Sequence, residues 1–356
     1  MGRILVTPLT GPAMLLTVYA LLFRLALPLV LLRLWWSGRK NPALRAGWRQ
    51  RLGYVAASSE PVIWVHAVSV GETIAAAPLV EALLDRYPHA PILMTAMTVT
   101  GVTRARALFG SRVLYAFSPY DTPGSVRRFL GRMRPAALVI METELWPNMI
   151  SQAGARGIPI VLVNARLSAR SARGYRRING LVRPLLRTIS WIAAQAADDA
   201  QRFLDIGALP QSVSVTGSIK FDVQIPPQLS AAAAGLRAQP GFARPAWIAA
   251  STHVGEDQQI LAAHRQVLQH YPDALLILVP RHPERFESVA QVVRAEALTC
   301  ARRSLQQSPE GVQVYLGDTM GELMLLFGVS DIAFIGGSLI ERGGHNPLEA
   351  AAWGIP

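Results

Sequence analysis

The chain is set by a repeating beat: a short, continuously apolar run, a polar or glycine-bearing turn, then a helix-forming segment. Such runs occupy residues 62–66, 92–95, 113–116, 136–141, 158–163, 191–194 and 213–216. After a gap the beat resumes at 247–250, 274–279, 312–316 and 331–335. Unbroken apolar runs, as opposed to alternating ones, belong to parallel strands covered by helices on both faces. Helices are expected at 73–86, from about 102, at 256–269 and at 320–327. In 256–269 the residues Ile260, Ala263, His264, Val267 and Leu268 share one face. The gap, 226–245, is rich in proline, alanine and glycine, and its start reads as a hinge. The pattern predicts an α/β protein of two open, facing Rossmann-like domains.

The first residues are of another kind. Positions 13–36 read AMLLTVYALLFRLALPLVLLRLWW, long enough to span a bilayer or to lie in one. Arg24 and Pro28 interrupt the stretch, so an in-plane anchor with Arg24 snorkelling competes with a crossing helix. A buried hairpin of the globular core is the third reading. Arg33, Arg39, Lys40, Arg45, Arg49 and Arg51 follow, among Trp35, Trp36 and Trp48. Positive charge on that side places the remainder of the chain in the cytoplasm. The expected organisation is an uncleaved anchor at 1–36, a first domain at 37–225 and a second at 226–356. The chain stops at Trp353-Gly354-Ile355-Pro356, within a helix-to-strand connection, so the second domain is expected to be incomplete.

Charge narrows the partners. Only 16% of residues are charged, yet the net charge is +12, which fits nucleic acid, anionic lipid or a phosphorylated substrate. A single cysteine, Cys300, excludes an internal disulfide framework and suits a reducing compartment. No Cys/His group has zinc spacing, so no metal is expected.

Chemistry is expected where strands end, because ligands of open α/β sheets bind at the carboxyl edge. Glu72 closes His66-Ala67-Val68-Ser69-Val70-Gly71-Glu72 after a strand and at a helix start. It reads either as an acid complementing the helix dipole or as a general base. Met141-Glu142-Thr143-Glu144-Leu145-Trp146-Pro147-Asn148 puts two more carboxylates at the same edge, as helix-start acids or as crevice groups. Lys220, in Gly217-Ser218-Ile219-Lys220-Phe221-Asp222, reads as a partner for an anionic substrate or as a solvated charge.

In the second half, Arg281-His282-Pro283, Gly317–Glu322 and Gly336-Gly337-Ser338 follow strands, and Gly343–Glu349 opens the final helix. Free amides at such helix starts suit a phosphate. Asn346 and Glu349, three apart, would share a helical face, with Glu349 able to accept from ribose hydroxyls. None of these turns carries the P-loop lysine or the dinucleotide fingerprint, which argues against an NTPase or a dehydrogenase. A last feature is the run Arg166, Arg170, Arg173, Arg176, Arg177, Arg183 and Arg187, read as solvated surface or as contact with lipid phosphates.

In their order along the chain, these motifs resemble the Kdo transferases, which move 3-deoxy-D-manno-octulosonic acid (Kdo) from CMP-Kdo to lipid A precursors. The matching stretches are Ser-Val-Gly-Glu ending at Glu72, METELWPN at 141–148, NARLS at 164–168 and GSIKFD at 217–222. Arg281-His282-Pro283, GDTMGEL at 317–323 and GGHNPLEAA at 343–351 complete the set. The resemblance implies an inverting, metal-independent GT-B glycosyltransferase without cofactor, on the cytoplasmic face of a bacterial inner membrane. Its partners would be CMP-Kdo, a lipid A precursor (lipid IVA) and membrane lipid, with no nucleic acid. It makes Glu72 the general base, with Glu142 and Lys220 stabilising the transition state. CMP would be held by Arg281, His282, Met320, Gly321, Glu322, Asn346, Pro347, Leu348 and Glu349. Rival readings are a membrane-associated GT-B enzyme using a nucleotide-diphosphate sugar, and a basic membrane-anchored binding protein without turnover.

Overall fold

A computed structural model of the chain describes residues 11–40, 42–45, 47–222 and 225–356. The first ten residues of the expected anchor, and positions 223–224 beside the expected hinge, lie outside the described residues. The chain divides into two compact units, Met1–Asp222 and Val223–Pro356.

In the first unit the described strands are β1 Ile63–His66, β2 Ile92–Ala96, β3 Leu114–Phe117 and β4 Ala137–Met141. They continue with β5 Ile160–Ala165, β6 Trp191–Ala194 and β7 Val213–Val215. All pair in parallel, in the order β3-β2-β1-β4-β5-β6-β7. The apolar runs are unbroken because both faces are covered. In β4, Leu138 and Ile140 join a core with Trp64 and Phe129, while Val139 and Met141 join another with Val65 and Met94. The strand order reverses between β1 and β4, and their C-terminal ends flank the crevice where such sheets bind ligands.

The second unit repeats the plan with β8 Ala246–Thr252, β9 Leu275–Pro280, β10 Cys300–Arg302, β11 Val314–Leu316 and β12 Ile332–Ile335. Their order is β10-β11-β9-β8-β12, again all parallel. Here the reversal falls between β8 and β12. Both units are thus parallel α/β sheets of the kind a GT-B enzyme is built from.

One unbroken helix, Pro12–Lys40, runs through Pro28. Its stretch Ala13–Arg39 is long and apolar enough to cross a membrane. Leu16, Tyr19, Ala20, Phe23, Leu27, Val30, Leu31 and Leu34 are half-buried and recur at helical spacing, one stripe along the helix. On the opposite face Val18, Leu22, Leu25, Leu29, Leu32 and Trp36 are exposed, so the helix is not a hairpin of the core. Tyr19 lies close enough to Asp121 to act on its carboxyl, and Leu15 sits against Gly180.

Several expected elements differ. The helix expected at 73–86 is two, Val70–Ala75 and Ala77–Arg86; Pro78, within the first turn of the second, has no N–H to continue the first helix's hydrogen bonding. The segment read as an interruption at 226–245 contains the helix Pro227–Arg237, whose Ala233 and Leu236 are buried. The edge strand β10 was not expected. The helix expected at 320–327 starts at Leu323, because Gly321 takes φ 83°, outside the helical range.

Candidate active site

Glu72 stands just past β1. Ser69 caps the helix Val70–Ala75, its hydroxyl oxygen accepting from the Glu72 amide at 3.2 Å. The Glu72 carboxylate accepts from the Val68 amide at 2.7 Å and from the Ser69 hydroxyl at 2.9 Å. The helix-start reading is therefore realised. It does not exhaust the group, since two carboxylate oxygens carry about four acceptor sites. Burial pushes the Glu72 carboxyl above the ordinary glutamate value; the Val68 and Ser69 bonds pull it back, and the charges of Glu144 and Glu142 push it up again. The three carboxylates of the β1 and β4 turns thus meet electrostatically at one crevice.

The neighbouring turn is held hard. Glu142 takes φ 55°, a left-handed conformation costing a non-glycine residue about 1–2 kcal/mol, and its amide donates to Val163 O at 2.9 Å. Such outliers persist where the surroundings over-determine them, often at sites. Glu144 accepts from the Trp146 indole at 2.8 Å, and the Trp146 ring meets His66 edge-on at 5.0 Å. His66 is fully buried, its Nδ1 3.0 Å from Thr95 Oγ1 and 3.1 Å from Ser118 Oγ. Burial pushes its pKa down to about 3, so it is a neutral support. Asp121 caps the helix Pro147–Gly154, accepting from the Asn148 and Met149 amides at 3.0 and 2.8 Å.

Lys220 is exposed on the one-turn helix Ile219–Phe221. Asn164 fixes that turn: its Oδ1 accepts from the Ser218 hydroxyl at 3.3 Å and the Ile219 amide at 3.2 Å. Ile219 packs against the core of Ala67, Val139 and Met141, which carries the turn from β7 back toward β1 and β4. Asn164, itself at φ 54°, lay inside a matched motif without any assigned role. All seven arginines of the 166–187 run are exposed, and among the described residues none forms an ion pair with a carboxylate.

At the edge of the second unit the hub is a segment that the motif reading passed over, Thr252–Asp257. The Arg281 amide donates to Thr252 O at 3.0 Å. The His253 ring lies 5.5 Å from that of His282 and stacks on His345, with the two Nε2 atoms 2.7 Å apart. One of those nitrogens must carry the proton and the other accept it. Thr252 donates to Asp257 at 2.7 Å, and Asp257 pairs with Arg285. Glu256 is completely buried. Burial alone would raise its carboxyl; the amides of Gly337, His253 and Leu339 reverse that and hold it below the usual glutamate value.

Two expectations for this edge are corrected. The Gly336-Gly337-Ser338 turn does not offer its amides to a phosphate, because those of Gly337 and Leu339 point at Glu256. Its glycines serve close approach: a Cβ on Gly336 would lie 2.3 Å from Ser251 O. Asn346 and Glu349 do not share a helical face, since the last helix is only Leu348–Ala352. Asn346 Oδ1 instead accepts from the Leu348 amide at 3.1 Å, and Pro347 stands at the cap. Glu349 is half-buried, and burial raises its carboxyl.

Met320 is 64% exposed and free for a ligand. Glu322 is paired with Arg303 at 2.7 Å and with the Thr319 hydroxyl. Arg303 above all holds its carboxyl low. Arg303, Thr319 and Glu322 help line a cavity of about 690 Å³. Arg281, His282 and His345 gather around His253, whereas Met320, Gly321 and Glu322 follow β11, three strand spacings (about 14 Å) from β12.

Residues 46–223 match the family model of the 3-deoxy-D-manno-octulosonic-acid transferases (Kdo transferases). A 3-deoxy-D-manno-octulosonic acid transferase of Haemophilus influenzae is 45% identical over 95% of this chain and 80% of its own length. One from Bordetella pertussis is 39% identical, over 95% of this chain and 81% of its own. Among solved structures, the C-terminal CMP-Kdo binding domain of WaaA from Acinetobacter baumannii is 42% identical. It covers 36% of this chain and 68% of its own, with a TM-score of 0.35. With its motifs in family order and relatives this similar along nearly its whole length, the chain belongs to the 3-deoxy-D-manno-octulosonic acid transferase family.

Proposed function

We propose that this enzyme, a glycosyltransferase, transfers Kdo from CMP-Kdo to a lipid A precursor in lipopolysaccharide core biosynthesis, with inversion at the anomeric carbon. One observation carries the catalytic assignment: Glu72, beside Glu142 and Glu144 at the β1/β4 crevice, has a carboxyl raised by burial. A raised carboxyl is a better proton acceptor when it is ionised. Glu72 takes the proton of the acceptor hydroxyl as its oxygen bonds to the anomeric carbon. The bond from that carbon to the phosphate oxygen of CMP breaks, and CMP leaves with the electron pair. Lys220 offers its charge to the anionic groups, and Glu142 balances positive charge building on the sugar.

In this reading CMP rests on Arg281 and His282, on Met320, Gly321 and Glu322, and on the turn Asn346-Pro347-Leu348-Glu349. Glu322 reaches it by exchanging its Arg303 partner. The first unit takes the lipid acceptor because it carries the apolar helix, and the exposed arginines of 166–187 meet lipid phosphates. We place the enzyme on the cytoplasmic face of the bacterial inner membrane, working without a metal because CMP leaves with a single phosphate.

The test is turnover of CMP-Kdo and a lipid A precursor by the wild type, Glu72→Ala and Glu72→Gln, with and without chelator. Loss of product in both variants, with chelator making no difference, is the expected result. Near-wild-type turnover in the variants removes Glu72 from the mechanism, and a chelator-sensitive rate removes metal independence.

A further inference from the structure

The β8 and β12 turns of the second unit face each other across its switch point, where such a sheet binds its ligand. The lips of that crevice are joined by one side chain. Glu256, from the β8 turn, accepts from the Gly337 amide with both oxygens, at 2.8 and 2.9 Å, and from the Leu339 amide at 3.1 Å. Its Oε2 also accepts from the His253 amide at 2.8 Å. Gly337 at φ 82° helps turn its own amide and that of Leu339 inward, as in the concave nests that proteins use to hold anions. Here the anion is the protein's own. No lysine or arginine pairs with this carboxylate among the described residues, so backbone amides are its hydrogen-bond partners, with His253 adding a smaller electrostatic pull.

We propose that Glu256 is the positioning residue of the donor site, fixing the spacing of the β8 and β12 turns and through it the groups that meet the nucleotide sugar. The chain of contact is short. Glu256 holds His253, whose ring touches His282 and hydrogen bonds to His345; His345 donates its amide to Gly336 O at 3.0 Å and adjoins Asn346. A carboxylate suits this place because every partner is a donor. Glutamine has nearly the same shape, but its NH₂ would face an N–H group, forfeiting a charge-assisted bond and opposing the remaining donors. The two turns would then part.

This inference rests on the donor reading above, and its test separates the two. Full-length wild type and Glu256→Gln are titrated with CMP by calorimetry. The KM for CMP-Kdo and for the lipid acceptor are measured separately, and thermal unfolding is followed in parallel. In the variant, the Kd for CMP and the donor KM should rise roughly ten-fold, the loss of one charge-assisted bond, with acceptor KM unchanged. A donor KM within two-fold of wild type, or equal rises in both KM values, overturns the proposal. If the variant does not fold, Glu256→Asp replaces it: charge is kept and reach shortened, so the donor KM should still rise selectively, and a wild-type value overturns the proposal. Wild-type protein that fails to bind CMP sinks the donor reading instead.

Discussion

Both units carry acids at their switch points, and the acids do opposite things. At β1/β4, Glu72 is buried near two like charges and is bonded by one amide and one hydroxyl; its carboxyl is raised. At β8/β12 and along the same edge, Glu256 is bonded by three amides, Asp318 by Ser304 and Arg302, and Glu322 by Arg303 and Thr319. All three of these carboxyls are held low. Burial pushes every one of these carboxyls up; what overcomes it is the gathered amides at Glu256, Ser304 with Arg302 at Asp318, and Arg303 at Glu322. Glu72, left with like charges and without a cation among the described residues, can take up a proton, whereas Glu256 holds backbone in place.

The largest expected effect breaks the symmetry in activity. Glu72→Gln should lower kcat by roughly 10²–10⁴-fold while leaving the melting temperature nearly where it was. With Glu72 as the proposed base, working ionised, the acid limb of kcat/KM in the wild type should lie above the ordinary glutamate value, because its carboxyl is raised. A limb at or below that value would place the base elsewhere. Asp318→Asn is the counterpart in stability. Its side chain is fully buried against Arg302, and losing the charge should cost about 1–3 kcal/mol, read from denaturant unfolding.

A smaller effect concerns acid. A carboxyl held below its unfolded value stabilises the fold above that value and loses the contribution as pH falls; a raised carboxyl acts in the opposite sense. In the second unit Glu256, Glu287, Asp318 and Glu322 are low against the raised Glu349, whereas in the first Glu72 is raised and Asp121 is pushed up to about 6 by burial. The second unit should therefore loosen first as pH drops below about 4, seen as earlier hydrogen exchange in β8–β12 than in β1–β7. Simultaneous loss would show that the two units melt as one. The smallest effect calibrates the rest: Arg112 pairs with Glu81 at 2.6 Å with both half exposed, and Arg112→Ala should change stability by less than about 1 kcal/mol.

The strands could be read from sequence because both faces of each sheet are covered, leaving unbroken apolar runs such as Leu275–Pro280. β10 escaped because it is three residues long at a sheet edge and ends in Arg302. The site was half readable. Glu72 and the Glu142 turn announced themselves by standing directly after strands. Glu256 looks like any acid at a helix start, and nothing in the string Gly-Gly-Ser says where an amide points. Asn164 was hidden for the same reason: its partners, Ser218 and Ile219, are more than fifty residues away.

The seat of Leu15 on Gly180 and the nearness of Tyr19 to Asp121 give the apolar helix a standing that its composition does not. Asp121 also organises the first turn of Pro147–Gly154, so the apolar helix adjoins the strand-end motif. Trimming that helix to obtain a more tractable protein would take Tyr19 away from Asp121 and lay bare the seat of Leu15 on Gly180. A shortened enzyme would thus carry a wound within reach of its strand-end motif at 141–148, and weak activity in it would report on the surgery as much as on the chemistry.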